Sequence, residues 1–231
     1  MALTKVSRGL LTTSIVDNGN ATAITIGSDE STTFSNPIIL TAGALAAAGN
    51  AGLSHRSADN RVYLQAGTGG FNILDDQQNT HLSIDSAGRV TTPLQPAFLA
   101  MAVAQNNIPI AGSSTVNFSS KVFDLGSDYS GAVFTAPVAG KYQLNLSLYV
   151  LAIDSAADYV QISMNTSNRQ YYAIVDPGVW TGDPTYWSFA ITVLADMDAS
   201  DTAHVEVQLN NSGAAQMDIT ANSAFSGYLV A

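Results

Sequence analysis

The chain has 231 residues, of which 46% are hydrophobic and only 11% charged, so it can bury a sizeable core. Eight Lys and Arg stand against 18 Asp and Glu, a net charge of −10, which argues against nucleic acid as a partner because phosphate binding needs clustered basic groups. The chain has no cysteine, which removes disulfides and thiolate chemistry, and no apolar run approaches a membrane span, so no membrane insertion is expected.

The charge deficit is uneven. Residues 1–95 carry five basic and seven acidic groups, whereas residues 96–231 carry three and eleven. The opening MALTKVSR holds no apolar stretch of signal-peptide length, so an unsignalled protein is expected. Short β-branched runs at 23–26, 37–40, 62–65, 71–74, 82–84 and 89–91 are bounded by Gly, Asn, Asp or Ser and read as short strands. None of them can bury a core of its own. Between them TAGALAAAGNAGLS, residues 41–54, reads as a linker or one short helix, since each glycine opposes helix by ~1 kcal/mol.

From Pro96 the texture changes, and longer alternating strands are predicted at 97–103, 115–118, 132–135, 141–150, 159–165, 188–195, 204–209 and 224–230. Within FTAPVAGKYQLNLSLYV, residues 134–150, the side chains of Tyr142, Leu144, Leu146, Leu148 and Val150 share one face, while Lys141, Gln143, Asn145, Ser147 and Tyr149 share the other. Phe189, Ile191 and Val193 share a face in a later strand, as do Val205, Val207 and Leu209. Gly227 marks a bulge or a close backbone approach in the last strand. Strands at this spacing, joined by polar loops, argue for a β-sandwich or jelly roll.

Several fragments of 96–231 carry a family wording: PAF at 96–98, VFD at 122–124, DY at 128–129, GAVFTAP at 131–137, GKY at 140–142, DTAHV at 201–205 and FSGYL at 225–229. In that order they resemble the globular head of the C1q family, which shares the tumour-necrosis-factor jelly roll. The resemblance implies a homotrimer, with Tyr149 and Tyr228 as candidates for its threefold axis. The segment DPGVWTGDPTYW, residues 176–187, departs from the family wording and holds both tryptophans.

Upstream, LSIDSAGRVTTP at 82–93 and the opening MALTKV resemble phage tail-fibre proteins. Together the resemblances imply an all-β molecule: a virion-attachment segment and the start of a β shaft at 1–40, the Ala/Gly-rich linker at 41–54, a β-rich shaft at 55–95 and a C1q-like jelly-roll head at 96–231. The expected function is that of a phage virion structural protein, a short trimeric tail fibre. Its N-terminal region would dock on tail or capsid proteins and its head would bind a host surface glycan or protein. The alternatives are an architectural tail adaptor or capsid decoration fibre, and a capsular polysaccharide depolymerase.

Catalysis finds little support in the residues. His55, His81 and His204 lie far apart, none in metal-ligand spacing, and His204 falls on the polar face of its strand, where exposure is expected. The carboxylate pairs Asp75 with Asp76 and Asp154 with Asp158 are better explained by surface solvation than by glycoside hydrolysis. DMDASD at 196–201 imitates half a calcium loop but lacks its glycine and its closing acid, so an acidic turn is favoured over a loose calcium site and no cofactor is expected. The ligand-binding candidates are Trp180, Asp183, Tyr186 and Trp187, since planar rings beside Asp suit a sugar or a protein hot spot. The competing reading is that Trp187 starts a strand and packs inward, while Tyr171 and Tyr172 alternate in and out.

Overall fold

The structure, a computed structural model, describes residues 52–56, 61–66, 68–109, 112–210 and 216–231. The expected attachment segment 1–40, its strands at 23–26 and 37–40, and residues 41–51 lie outside the described residues. The chain divides into two units, ending at Ala66 and beginning at Gly67. In the first, β1 (Gly52–Arg56) pairs antiparallel with β2 (Arg61–Gln65). The linker or helix reading of 41–54 is thus corrected at its end, where Gly52, Leu53 and Ser54 form strand opposite Gln65, Leu64 and Tyr63. Gly52 is a poor helix residue, and the facing strand satisfies its backbone instead.

The second unit opens with a three-stranded antiparallel sheet of β3 (Phe71–Leu74), β4 (Thr80–Ile84) and β5 (Val90–Thr91). Its two turns are closed by carboxylates. Asp75 Oδ1 accepts from the Gln77 and Asn79 amides, and Asp85 Oδ1 from those of Ala87 and Arg89. These bonds, led by the Asn79 side chain for Asp75 and the Arg89 amide for Asp85, hold both carboxyls below the usual range.

The sandwich follows: β6 (Ala97–Met101), β7 (Gln105–Pro109), β8 (Ser113–Thr115), β9 (Ser120–Leu125), β10 (Tyr129–Ser130), β11 (Val133–Thr135), β12 (Gly140–Leu151), β13 (Tyr159–Thr166), β14 (Gln170–Val175), β15 (Tyr186–Met197), β16 (Thr202–Asn210), β17 (Gln216–Ile219) and β18 (Ala224–Leu229). The pairing is nested: β6 with β18, β11 with β16, β12 with β15, β13 with β14. A long hairpin rolled on itself gives this order, so the expected jelly roll is the observed fold. One sheet runs β15, β12, β18, β6, β9, with β17 on β12 and β7 on β17; the other runs β10, β11, β16, β13, β14, with β8 on β16.

Alternation dictates the core. Tyr142, Leu144, Leu146, Leu148 and Val150 are all buried, opposite Phe189, Ile191, Val205, Val207 and Leu209 from the other long strands. At one end the aromatic rings gather. Phe98 stacks on Tyr129 and Phe134 at 4.7 and 4.8 Å and meets Phe225 edge-on at 5.0 Å, while Phe134 reaches Tyr142 at 5.4 Å. Gly227 sits against this cluster as a close approach: a Cβ there would stand 2.6 Å from Leu144 Cδ2 and 2.8 Å from Phe98 Cε1.

The strand expected at 115–118 ends at Thr115 instead. Val116 leaves the strand to donate to Val205 O, and Phe118 donates back to Val116 O, which turns both side chains into the core. The residues after β18 are held against β12: Val230 donates to Lys141 O and Lys141 to Ala231 O, both at 2.7 Å. Pro96 O accepts from Leu229 N, and Gln95 Nε2 donates to Leu229 O at 2.6 Å, fixing the connector of residues 92–96 to the last strand.

Candidate assembly and binding surfaces

The outer faces of the two sheets differ in chemistry. On the β15–β12–β18–β6–β9 sheet, register places outward side chains in rows. One row is Leu194, Gln143, Tyr228, Ala97 and Leu125; the next is Thr192, Asn145, Ser226, Leu99 and Phe123; a third is Ala190, Ser147, Ala224, Met101 and Ser120. Fifteen positions carry no charge, in a protein whose net charge is −10. The nearest charges on this face are Lys141 and Asp196, joined as an ion pair at its margin. That contact, first through the hydrogen bond and then the charge of Lys141, holds the Asp196 carboxyl below the usual range.

The uncharged face is also partly apolar, since Leu194, Tyr228, Phe123 and Leu125 are 58%, 49%, 45% and 41% exposed. The remaining positions are Ala, Ser or Thr, the amides Gln143 and Asn145, and the apolar Leu99 and Met101. The threefold-axis candidates both point outward here. Tyr228 lies opposite Gln143, whereas Tyr149 is half-buried beside Tyr186, ring centroids 6.3 Å apart. The six residues from Gln143 to Tyr149 separate them by ~20 Å along β12.

Over β13 and β16 the outer face of the second sheet is polar, whereas β14 adds the exposed Tyr172 and Ile174 to it. Glu206 accepts from Asn165 Nδ2 at 2.8 Å and faces His204 Nε2 at 3.3 Å, flanked by Gln161, Gln208 and Thr115. His204 is therefore half-buried beside a carboxylate, against the exposure expected for it, because β13 and β16 bring Asn165 alongside.

Parity splits the proposed aromatic site. Trp187 and Tyr186 are neighbours in β15, so they point to opposite faces. Trp187 lies opposite Val150 on the inward side, beyond the end of the core, and Trp180 covers it with ring centroids 5.0 Å apart. Trp180 is half-buried and packs against the core. Tyr186 instead joins Tyr149 on the outer face. Tyr171 turns inward and Tyr172 outward, the alternation of the competing reading.

Asp183 is engaged by the neighbouring loop between β12 and β13. Its Oδ1 accepts from the Ser155 amide at 2.7 Å and from Ser155 Oγ at 2.6 Å, and these bonds hold its carboxyl below the usual range. The loop carrying Asp183 contains the short turn Pro177–Val179, capped by Asp176 through the Gly178 amide. Its exposed tip, Val179, and the outward Tyr172 and Ile174 of β14 are large apolar side chains left in solvent. Sequence reasoning missed Ile174 and Val179, because an isolated Ile or Val in a β pattern signals core.

The acidic turn after β15 is knitted internally: Asp201 Oδ2 accepts from the Asp198 amide and from Asn168 Nδ2. Among the described residues no three His, Asp or Glu side chains converge as a cation site. Asp75 closes a turn and Asp154 Oδ1 accepts from the Ala156 amide, the roles of surface turn residues.

Solved structures similar to the chain include the globular domain of a zebrafish complement 1qA protein, at 16% identity and a TM-score of 0.44, covering 59% of this chain and 98% of that one. Murine APRIL at pH 8.0 is similar at 12% identity and a TM-score of 0.42, covering 59% and 99%. No family model matches the chain, and no curated protein matches it.

Proposed function

We propose that the chain is a phage virion structural protein, a short homotrimeric tail fibre whose C-terminal, C1q-like jelly roll attaches to a host surface without catalysis. The observation that carries the assembly is the uncharged outer face of the β15–β12–β18–β6–β9 sheet. A solvated face of an acidic protein normally carries charge, and this one has charge only at its margin. A neighbouring copy covering it explains both the missing charges and the exposed Tyr228, Phe123 and Leu125. The exposed Tyr172, Ile174 and Val179, and separately the Trp180 and Trp187 pair, are the side chains offered to a host glycan or protein. The fibre identity is supported by LSIDSAGRVTTP and MALTKV, and on this reading the N-terminal region docks on tail or capsid proteins.

Light scattering of the full chain at micromolar concentration should give the mass of three chains, and labelled protein should bind host cells saturably. A single-chain mass overturns the assembly. Trimers with no affinity for host cells overturn adhesion in favour of an architectural tail or capsid part.

A further inference from the structure

Across β8, β16, β13 and β14 the outward side chains form a second set of rows, unlike those of the uncharged sheet. Register puts Thr115, Glu206, Ser163 and Tyr172 in one row, with the amides of Asn165 and Gln161 on either side of Ser163 along β13. Glu206 is the one carboxylate of these rows, and no Lys or Arg stands in them; Arg169 lies in the turn between β13 and β14. Asn165 spends its amide N–H on Glu206, which leaves Asn165 Oδ1 buried with no donor among the described residues. Buried acceptors in folded proteins are normally partnered, so this one points to a donor that binds. At the β14 edge the Tyr172 ring is 59% exposed.

We infer that this face binds an uncharged saccharide, one pyranose ring lying on Tyr172 and sugar hydroxyls donating to Glu206 and to Asn165 Oδ1. The inference rests on the host attachment proposed above and gives it a ligand class and a face. Three features select a neutral sugar. Ionised Glu206 and Asn165 Oδ1 are acceptors, and hydroxyls supply the donors they can take. A carboxylate with no basic side chain in its rows repels acidic polysaccharide. A protein partner is gripped by aromatic or Arg anchors at the centre of a patch, whereas here Ser163 and Glu206 hold the centre and the aromatic ring stands at the edge. Tyr172 and Glu206 are two strand spacings apart, ~10 Å, so a ring stacked on one leaves the next ring of the chain over the other. This sheet is the one opposite the assembly face, so three copies present the site three times and weak single contacts add up.

The test uses labelled full-length protein, on an array of neutral and acidic oligosaccharides and on host cells. Neutral oligosaccharides should bind, and periodate, which cleaves the vicinal diols of sugars, should abolish cell attachment that protease treatment leaves intact. Tyr172→Ala and Glu206→Gln should each weaken binding roughly tenfold in either assay. Val179→Ser, at the tip of the 176–185 loop, should leave it unchanged, and all three variants should keep the wild-type mass. Binding to acidic oligosaccharides alone overturns the ligand class. Binding that survives both Tyr172→Ala and Glu206→Gln overturns the face, and a fall in mass in either variant makes that face a contact between copies instead. Cell attachment that survives periodate overturns the sugar and leaves host attachment standing. Protein that binds neither array nor cells overturns both readings.

Discussion

Asp128 shows how one residue is placed at a cost. Asp124 Oδ1 accepts from the Asp128 and Tyr129 amides, its Oδ2 from Lys121 Nζ, and its side chain is only 6% exposed. Asp128 follows it into partial burial beside that carboxylate. Burial first, and the Asp124 charge second, raise the Asp128 carboxyl above its ordinary value. The folded state then binds a proton more tightly than the unfolded state. Stability from this group is present below the ordinary carboxylate pKa and is lost as pH rises through the raised one. Asp128→Asn should accordingly raise the unfolding midpoint at pH 7 by on the order of 1 °C, a small step because the site is largely solvated. The gain should vanish near pH 3, where the wild-type carboxyl is protonated. A gain that persists at pH 3 would assign the effect to packing.

Elements were legible where alternation was long and closed by turns. The five inward residues of β12 are the five picked out by period two, and the family-like fragments around Phe98, Tyr129, Phe134, Tyr142 and Phe225 meet in one aromatic cluster. Strands such as β7, β10 and β17 were not legible, because they are short, polar or broken. In β7, Asn107 takes a positive φ of 55° and its amide donates to Asp218 Oδ1. β14 was hidden for another reason: its aromatic pair reads as loop chemistry until β13 supplies a partner. The aromatic candidates do not share one face, because adjacency in a strand means opposite faces. Asp183, expected to meet a ligand, instead ties residues 176–185 to the loop at Ser155. Its carboxyl is held below the ordinary range, so this tether persists until pH falls through that lowered value. Asp183→Ala should leave the unfolding midpoint unchanged while speeding amide exchange at Ser155 severalfold, since the tether is exposed and local. A global fall in stability would show that the loop belongs to the core.

At the scale of the molecule, sheet chemistry decides which surface meets another copy. Both outer faces are built from alternating strands, yet one carries Glu206, His204 and Asn165 in a bonded group and the other carries three uncharged rows. Composition could not reveal this, because charge was countable along the chain while faces are defined only by register. Leu99 occupies the middle row, between Ser226 and Phe123. Placing a carboxylate there brings three like charges into a desolvated interface, which costs several kcal/mol. Leu99→Asp should therefore give single chains at micromolar concentration. Ser113→Asp, exposed at the edge of the polar face, should remain a trimer and acts as the control for added charge. Thermal unfolding supplies the second readout. An assembly that dissociates on unfolding melts higher as protein concentration rises, so wild type and Ser113→Asp should show that dependence and Leu99→Asp should lose it. Because Leu99 points away from the buried Phe98 and Ala100, the dissociated variant should keep its β-sheet circular dichroism. Loss of that signal would mean that the head cannot fold without its neighbours, and an unchanged trimer would move the interface to another face.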